Sequence, residues 1–340
     1  MQKRTIFSLI LISTFSIFNL PSFSQKIRLL DSMSGISLRG LSVVDDGVFW
    51  ASGSKGTVAR SVDAGKSIAW MKVKGFEERD FRDIEAFDPE TAIIMAVDEP
   101  AVILKTSDGG KNWRKVFDDS TKGMFLDAMY FSGNRGIVIG DPVDDTFFIA
   151  QTDDGGEHWK TNSQKNQFTT AMKGEAFFAA SGGNILLYNS GGQTSPVYVS
   201  GGEVSRIFWE GGVVKVLPLS QGKNSTGANA IAVYNNKGIV VGGDFSNDSI
   251  ATGNCVLLDF TANDIHFSKP KIAPSGYKSS VAYITSDNLI SCGTSGVDLS
   301  ADGGNQWRKI SGQSFHVVRK ARNGNKVFLA GSKGRIAVLE

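Results

Sequence analysis

The stretch TSDGGKNW, residues 106–113, decides how this chain is read. Three others line up with it: SVDAGKSIAW (61–70), TDDGGEHW (152–159) and SADGGNQW (300–307). The shared pattern is Ser/Thr-x-Asp-x-Gly-x-x-Trp, loosened by an insertion in the first copy. Each position has a physical job. The carboxylate accepts backbone N–H groups inside a tight turn, the glycine takes a positive φ, and the tryptophan packs beneath the hairpin. Asp63, Asp108 and Asp154 recur at about 45 residues, and Asp302 follows about three further periods later. A period of that length is the mark of a propeller built from four-stranded blades.

The strands around the repeat agree. Alternating apolar segments open each unit: LRGLSVV (38–44), FRDIEAF (81–87), FLDAMYF (125–131), GEAFFAA (174–180), ANAIAVY (228–234), SSVAYIT (279–285) and FHVVRKA (315–321). Second strands follow, among them GVFWAS (47–52), TAIIMAV (91–97), GIVIGD (136–141) and KVFLAG (326–331). The turns after them repeat as GSKGTV (53–58), CGTSGV (292–297) and GSKGRI (331–336). Gly-Ser-Lys-Gly lacks the spacing and the following helix of a phosphate loop, so it reads as a hairpin turn. The last unit ends after its third strand. KIRLLDS (26–32) resembles the strands after the boxes, WRKVFDD (113–119) and WRKISGQ (307–313), and is expected to supply the missing outer strand. The reading is all-β: a seven-bladed propeller of four-stranded blades, one domain over residues 25–340, its ring closed by the mature N-terminal strand.

Composition fits this. Of 340 residues, 39 are glycine and only 8 proline, as hairpin turns between short strands require. Two cysteines exclude a disulfide-dense scaffold. A net charge of +2 argues against a nucleic-acid binder. Residues 1–24 start with Lys3 and Arg4, run apolar from Ile6 to Phe18, break at Pro21 and end on Ser22-Phe23-Ser24. That is the pattern of a secretory signal peptide cleaved near Ser24-Gln25. The protein is therefore expected in the periplasm or outside the cell, without a transmembrane segment in its mature part. Cleavage removes two basic residues and no acid, which leaves the mature chain charge-balanced.

The repeated turn resembles the Asp-box of sialidase-type (BNR) propellers. GVFWASGSKGTVARSVDAGKSIAW (47–70) and AVILKTSDGGKNW (101–113) resemble the repeat of the photosystem II stability/assembly factor family. The resemblance covers blades one to three and six. Blades four and five lack the box and carry longer turns, YNSGGQTSPVYVSGGE (188–203) and GGDFSNDSIATG (242–253). It implies an exported platform that binds a protein or glycan partner, an assembly or stability factor for an envelope complex. Relatives of the repeat also include sialidases, xyloglucanases and sortilin-type propellers. No dinucleotide fingerprint, haem motif or iron–sulfur set is present, so no cofactor is expected.

In a propeller the first strand of each blade starts at one mouth and the second returns to it. The boxes sit at the opposite end, so Asp63, Asp108, Asp154, Asp302, Trp70, Trp113, Trp159 and Trp307 read as scaffold. The mouth candidates are Arg39, Arg82, Asp83, Asp127, Glu175 and Asn229 at strand starts, and Asp98, Glu99, Asp141 and Asp244 in the following turns. Against a plain solvated lining stand two functional readings. One is binding of a protein or glycan by a monomer. The other is glycoside hydrolysis, in which Asp127 and Glu175 would be the paired carboxylates. A sialidase would need three arginines and an Arg-Ile-Pro segment. Here ISLRGL (36–41) stands in that place, and Arg206 is the sole third arginine on offer. The segment GFEERDFRDIEAF (75–87) is the densest charge run and reads as a solvated face or partner contact. His158, His266 and His316 stand singly and suggest no metal site. Cys255 and Cys292 are read either as a bridge or as two buried thiols.

Overall fold

The computed structural model describes residues 25–340, except Ser163 and Glu210. The expected signal peptide, residues 1–24, lies outside the described residues. All named elements are β-strands, arranged in seven antiparallel sheets. No described helix is long and apolar enough to cross a membrane.

Blade one comprises Leu38–Val43, Phe49–Gly53, Thr57–Ser61 and Ala69–Lys72, paired in that order from the axis outward. Blades two, three and six repeat this plan, with inner strands Phe81–Ala86, Leu126–Ser132 and Ser280–Tyr283. Blade five begins with Thr226–Tyr234 and carries two small additions, Glu175–Ala176 and Gly201–Gly202, on its inner edge. Blade seven is composite. Val317–Lys320, Val327–Ala330 and Ile336–Leu339 come from the C-terminus, and Ile27–Asp31 adds the outer strand, as expected. Ile27 faces Leu339 and Asp31 faces Ile336 in the antiparallel register, and Lys26 and Glu340 exchange backbone hydrogen bonds of 2.8 and 2.9 Å.

Blade four departs from expectation. Its inner strand is Ile185–Ser190, not GEAFFAA (174–180), of which only Glu175–Ala176 is extended and pairs with Gly201–Gly202. Alternating apolar residues marked a half-buried strand, but Phe177 to Asn184 instead pass irregularly through the axis. The segment 188–203, expected as a long turn, holds most of a hairpin: Tyr188 pairs Ser195 across Gly191-Gly192.

The core is distributed between blades. Each of the seven apolar clusters joins two neighbouring sheets; Phe49 of blade one, for example, packs on Phe328 of blade seven at 4.7 Å. Because the second strand of blade two, Ala92–Ala96, is buried on both faces, Ile93, Ile94, Met95 and Ala96 are all fully enclosed.

The four Asp turns explain their own repetition. In each, the Ser/Thr hydroxyl donates to the carboxylate two residues on and accepts the N–H of the glycine four residues on. The N–H just after each Asp (Ala64, Gly109, Gly155, Gly303) donates to the carbonyl of the first hairpin of the same blade, at Gly47, Glu90, Asn134 and Asp287. The hydroxyl and amide of Ser67 hold the Asp63 carboxyl down at about 2, and the backbone and side-chain amides of Asn112 do the same for Asp108. Trp113 and Trp307 donate to the carbonyls of Gly110 and Gly304, and Trp70 to Asp31 of the closing strand.

Deleting residues 25–32 exposes the Ile336–Leu339 edge and removes Ile27 and Leu30 from two inter-blade clusters. A drop in melting temperature of about 10 °C or more is expected by calorimetry. An unchanged melt would show that the ring does not depend on this strand.

Candidate functional site

The starts of the inner strands and the turns after the second strands converge on one mouth of the channel. Its cavity is about 480 Å³, lined by Arg39, Arg82, Asp127 and Asn229 from strand starts, by Asp141 from the second strand Arg135–Val143 and by Phe245 from a turn. Of the residues expected at the mouth, these positions and no others of that set line it: Arg39, Arg82, Asp127, Asp141 and Asn229.

The other five lie elsewhere. Asp83 is enclosed deeper along the axis, where its carboxylate accepts the N–H groups of Ile84 and Met129 at 2.9 and 2.8 Å. Asp98 and Glu99 form an exposed loop outside the cavity. The Arg79 guanidinium pins its carbonyls, and the Glu99 carboxylate accepts the Gly123 N–H. Asp244 binds the Ser246 N–H and pairs with Lys223 at 3.7 Å. Glu175 is sealed in a buried ion pair: Arg206 donates to both its oxygens, and Ser200 and the Met172 N–H complete its coordination. Arg206, the spare arginine of the sequence reading, is thus committed to Glu175. The pair Asp127 and Glu175 is not assembled at the mouth.

Asp127 instead shares its surroundings with Asp141. Burial, then the Asp141 charge, push the Asp127 carboxyl well up, against the pull of Arg82. The N–H groups of Asp141 and Ala179 approach its oxygens without closing regular hydrogen bonds. Burial raises Asp141 to about 6, opposed by the Phe177 N–H that it accepts at 2.9 Å. Opposite stand the cations. Arg82 donates to Asp80 at 2.8 Å, while Arg39 reaches only the Ala180 carbonyl at 3.5 Å. Burial first, then the charges of Arg39, Arg335 and Arg82, depress His316 to about 3, so this imidazole is neutral. Tyr277 donates to Asn229 at 2.7 Å.

Aromatic residues complete the mouth, and the sequence reading missed them. Phe125, Phe177, Phe178, Phe245 and Tyr277 line the cavity. Phe245 is 50% exposed, stacks edge-on against Phe178 at 5.6 Å and lies 6.4 Å from Tyr277. A lone phenylalanine in the polar turn GGDFSNDSIATG was the one available signal. Phe177 and Phe178 carried none, because an apolar pair in alternating text reads as a strand.

The floor is the irregular segment of blade four. The Ala180 and Ser181 carbonyls are gripped by Arg39 and Arg319, and the Ser181 hydroxyl donates to the Ser279 carbonyl. Gly182 lies against Asp83, and a Cβ there would fall 2.2 Å from Asp83 Oδ2. Blades one, six and seven thus hold a plug from blade four, and the channel is divided into two blind mouths. Cys255 and Cys292 are both buried and unbridged.

No family model matches the chain, and no curated protein does. Solved structures do. YCF48 bound to D1 peptide aligns with a TM-score of 0.62 at 16% identity, over 94% of this chain and 97% of that one. YCF48 from Cyanidioschyzon merolae gives 0.62 at 16%, over 93% and 99%. The WD40 β-propeller domain of Doa1 gives 0.60 at 13%, over 94% and 97%. What is shared is the fold.

Two outcomes test the plug. Gly182 has φ +63°, so Gly182→Ala adds strain to the clash and is expected to cost about 2 kcal/mol or more in denaturant unfolding. Burial, then Glu85, raises the Asp83 carboxyl to about 8. A carboxyl raised on folding binds more protons folded than unfolded, so it erodes stability as pH climbs from its unfolded value toward 8. Asp83→Asn is therefore expected to gain stability relative to the wild type between about pH 4 and pH 8. A constant difference across that range would place the Asp83 side chain in solvent.

Proposed function

We propose that this chain is a non-catalytic binding propeller, exported and monomeric, whose aromatic and charged mouth holds an exposed segment of a partner protein. The observation that carries this is the shelf of Phe178, Phe245 and Tyr277 beside Arg39 and Arg82. Large, rigid aromatic faces next to arginines are what protein-binding hot spots are made of. The plug closes the mouth below, so a segment lies across it rather than passing through. One solved propeller of this fold is bound to a peptide, which supports the same use of the scaffold here. On this reading the protein serves as an assembly or stability factor for a complex of the cell envelope, reached after removal of residues 1–24.

Hydrolysis of glycosides is the weaker reading. It needs two carboxylates flanking a bond, one of them with room for water. Glu175 is occupied by Arg206, and Asp127 is fully enclosed.

The test is site-specific photocrosslinking in the native cell. A benzophenone side chain at position 245 is expected to trap a discrete partner protein, and Arg82→Ala, which spares the plug contacts of Arg39, to abolish the adduct while the protein still melts as a folded chain. A second probe at exposed Asp153, beside an Asp turn, serves as the control. Equal trapping at both positions, or hydrolysis of sialosides or β-glucans that Asp127→Asn with Asp141→Asn removes, would overturn the proposal. N-terminal sequencing of the mature protein is expected to begin at Gln25.

A further inference from the structure

The plug leaves a second cavity at the other end of the axis. It measures about 470 Å³, within the range of small-molecule sites, and Gly182 and Gly183 form its floor. Its walls come from the far ends of the inner strands: Glu85 of blade two, Tyr130 of blade three, Leu186 of blade four, Tyr234 of blade five, Tyr283 of blade six and Arg322 of blade seven.

The carboxylate and both guanidinium groups of this cavity are already engaged from within. Arg322 donates to Glu85 at 2.9 Å and to the Ala86 carbonyl, and the Ser42 hydroxyl donates to the same Glu85 oxygen at 3.1 Å. Arg319 donates to the Ser181 and Val318 carbonyls and to the Ser280 hydroxyl. Lys320, which also borders the cavity, acts on Asp46, a carboxyl held low chiefly by the Lys326 backbone amide. A carboxylate or phosphate seeking a guanidinium would have to displace these contacts.

What stays open is of another kind. Among the described residues the hydroxyls of Tyr130, Tyr234 and Tyr283 make no hydrogen bond. Tyr234 is 43% exposed and rests against the Tyr283 ring at 5.7 Å. Burial, then the nearby Glu85 carboxylate, pushes the Tyr130 hydroxyl up, so it remains a neutral donor. Aromatic faces with free hydroxyls, aliphatic walls and guanidinium groups whose donors are already engaged match one ligand chemistry: a ring with apolar C–H faces and an equatorial belt of hydroxyls.

We infer that this rear cavity is a binding site for a neutral saccharide of one or two rings, on the face opposite the protein-binding mouth. A protein segment fits it less well. The cavity is blind at the plug and has no shelf like that of Phe178 and Phe245.

The test is saturation-transfer NMR and titration calorimetry on the full mature chain with cellobiose, maltose, lactose and N,N′-diacetylchitobiose. At least one is expected to bind with a Kd of about 0.1–10 mM. Tyr234→Ala, at an exposed position, and Tyr130→Phe, which keeps the ring, are each expected to weaken it at least about fivefold, roughly one lost hydrogen bond or stacking face. Phe245→Ala at the mouth is expected to leave sugar binding unchanged, which separates this site from the proposed partner site. Three results would overturn the inference: no binding of any of the four sugars at about 20 mM, equal or tighter binding of sialyllactose than of lactose, or a benzophenone at position 234 that traps a protein.

Discussion

Everything in this structure depends on one antiparallel pairing, Ile27–Asp31 against Ile336–Leu339. A propeller is a ring of sheets, each stabilised only by its two neighbours. An open ring would leave one blade short of an outer strand and expose a row of unpaired backbone groups. Joining the two ends of the chain within one blade removes that edge. It also adds side chains to the apolar clusters on both sides, Ile27 toward blade six and Leu30 toward blade one. The Asp turns are the local counterpart. They lock the third and fourth strands of a blade to its first hairpin, so that each sheet keeps its shape while its faces pack.

The second organising feature is the plug. An inner strand that stayed regular would leave the axis open to water. By leaving the sheet between Phe177 and Asn184, blade four puts backbone carbonyls at the axis, where they need donors. Arg39 and Arg319 supply them. The same excursion carries Phe177 and Phe178 into one mouth and Gly182 and Gly183 onto the floor of the other. One irregular segment thus creates two separate cavities with different chemistry: ionic and aromatic at the front, hydroxyl-rich with its guanidinium groups engaged at the rear.

The sequence made the scaffold legible because scaffold positions repeat. Asp108 and Gly110 could be read together because each copy of the turn needs the same carboxylate and the same positive φ. The mouth was half legible. Arg39, Arg82 and Asn229 sit at equivalent strand starts, so topology alone carried them there. Glu175 had the same apparent position, yet a two-residue pairing with Gly201–Gly202 and the arginine at 206 draw it into the protein. Asp83 and Asp127 look alike in the text FRD and FLD, but the register puts Asp127 in the place of Arg82, at the irregularity that faces the cavity, and Asp83 one residue further along, in the place of Gly40 and Ala128, where it is enclosed along the axis.

The sequence by itself determined the architecture: the number of blades, the turn that closes four of them, and the use of the N-terminal strand to complete the last. These follow from local patterns repeated at a fixed period, and short-range hydrogen bonding is enough to specify them. Tertiary structure alone decided which carboxylates stay in reach of a ligand, which arginines are already engaged, and where the axis is blocked. Those outcomes rest on contacts between residues far apart in the chain, such as Arg319 with Ser181 and Arg322 with Glu85. No period or motif encodes such contacts, because they arise only when seven unlike blades meet around one axis.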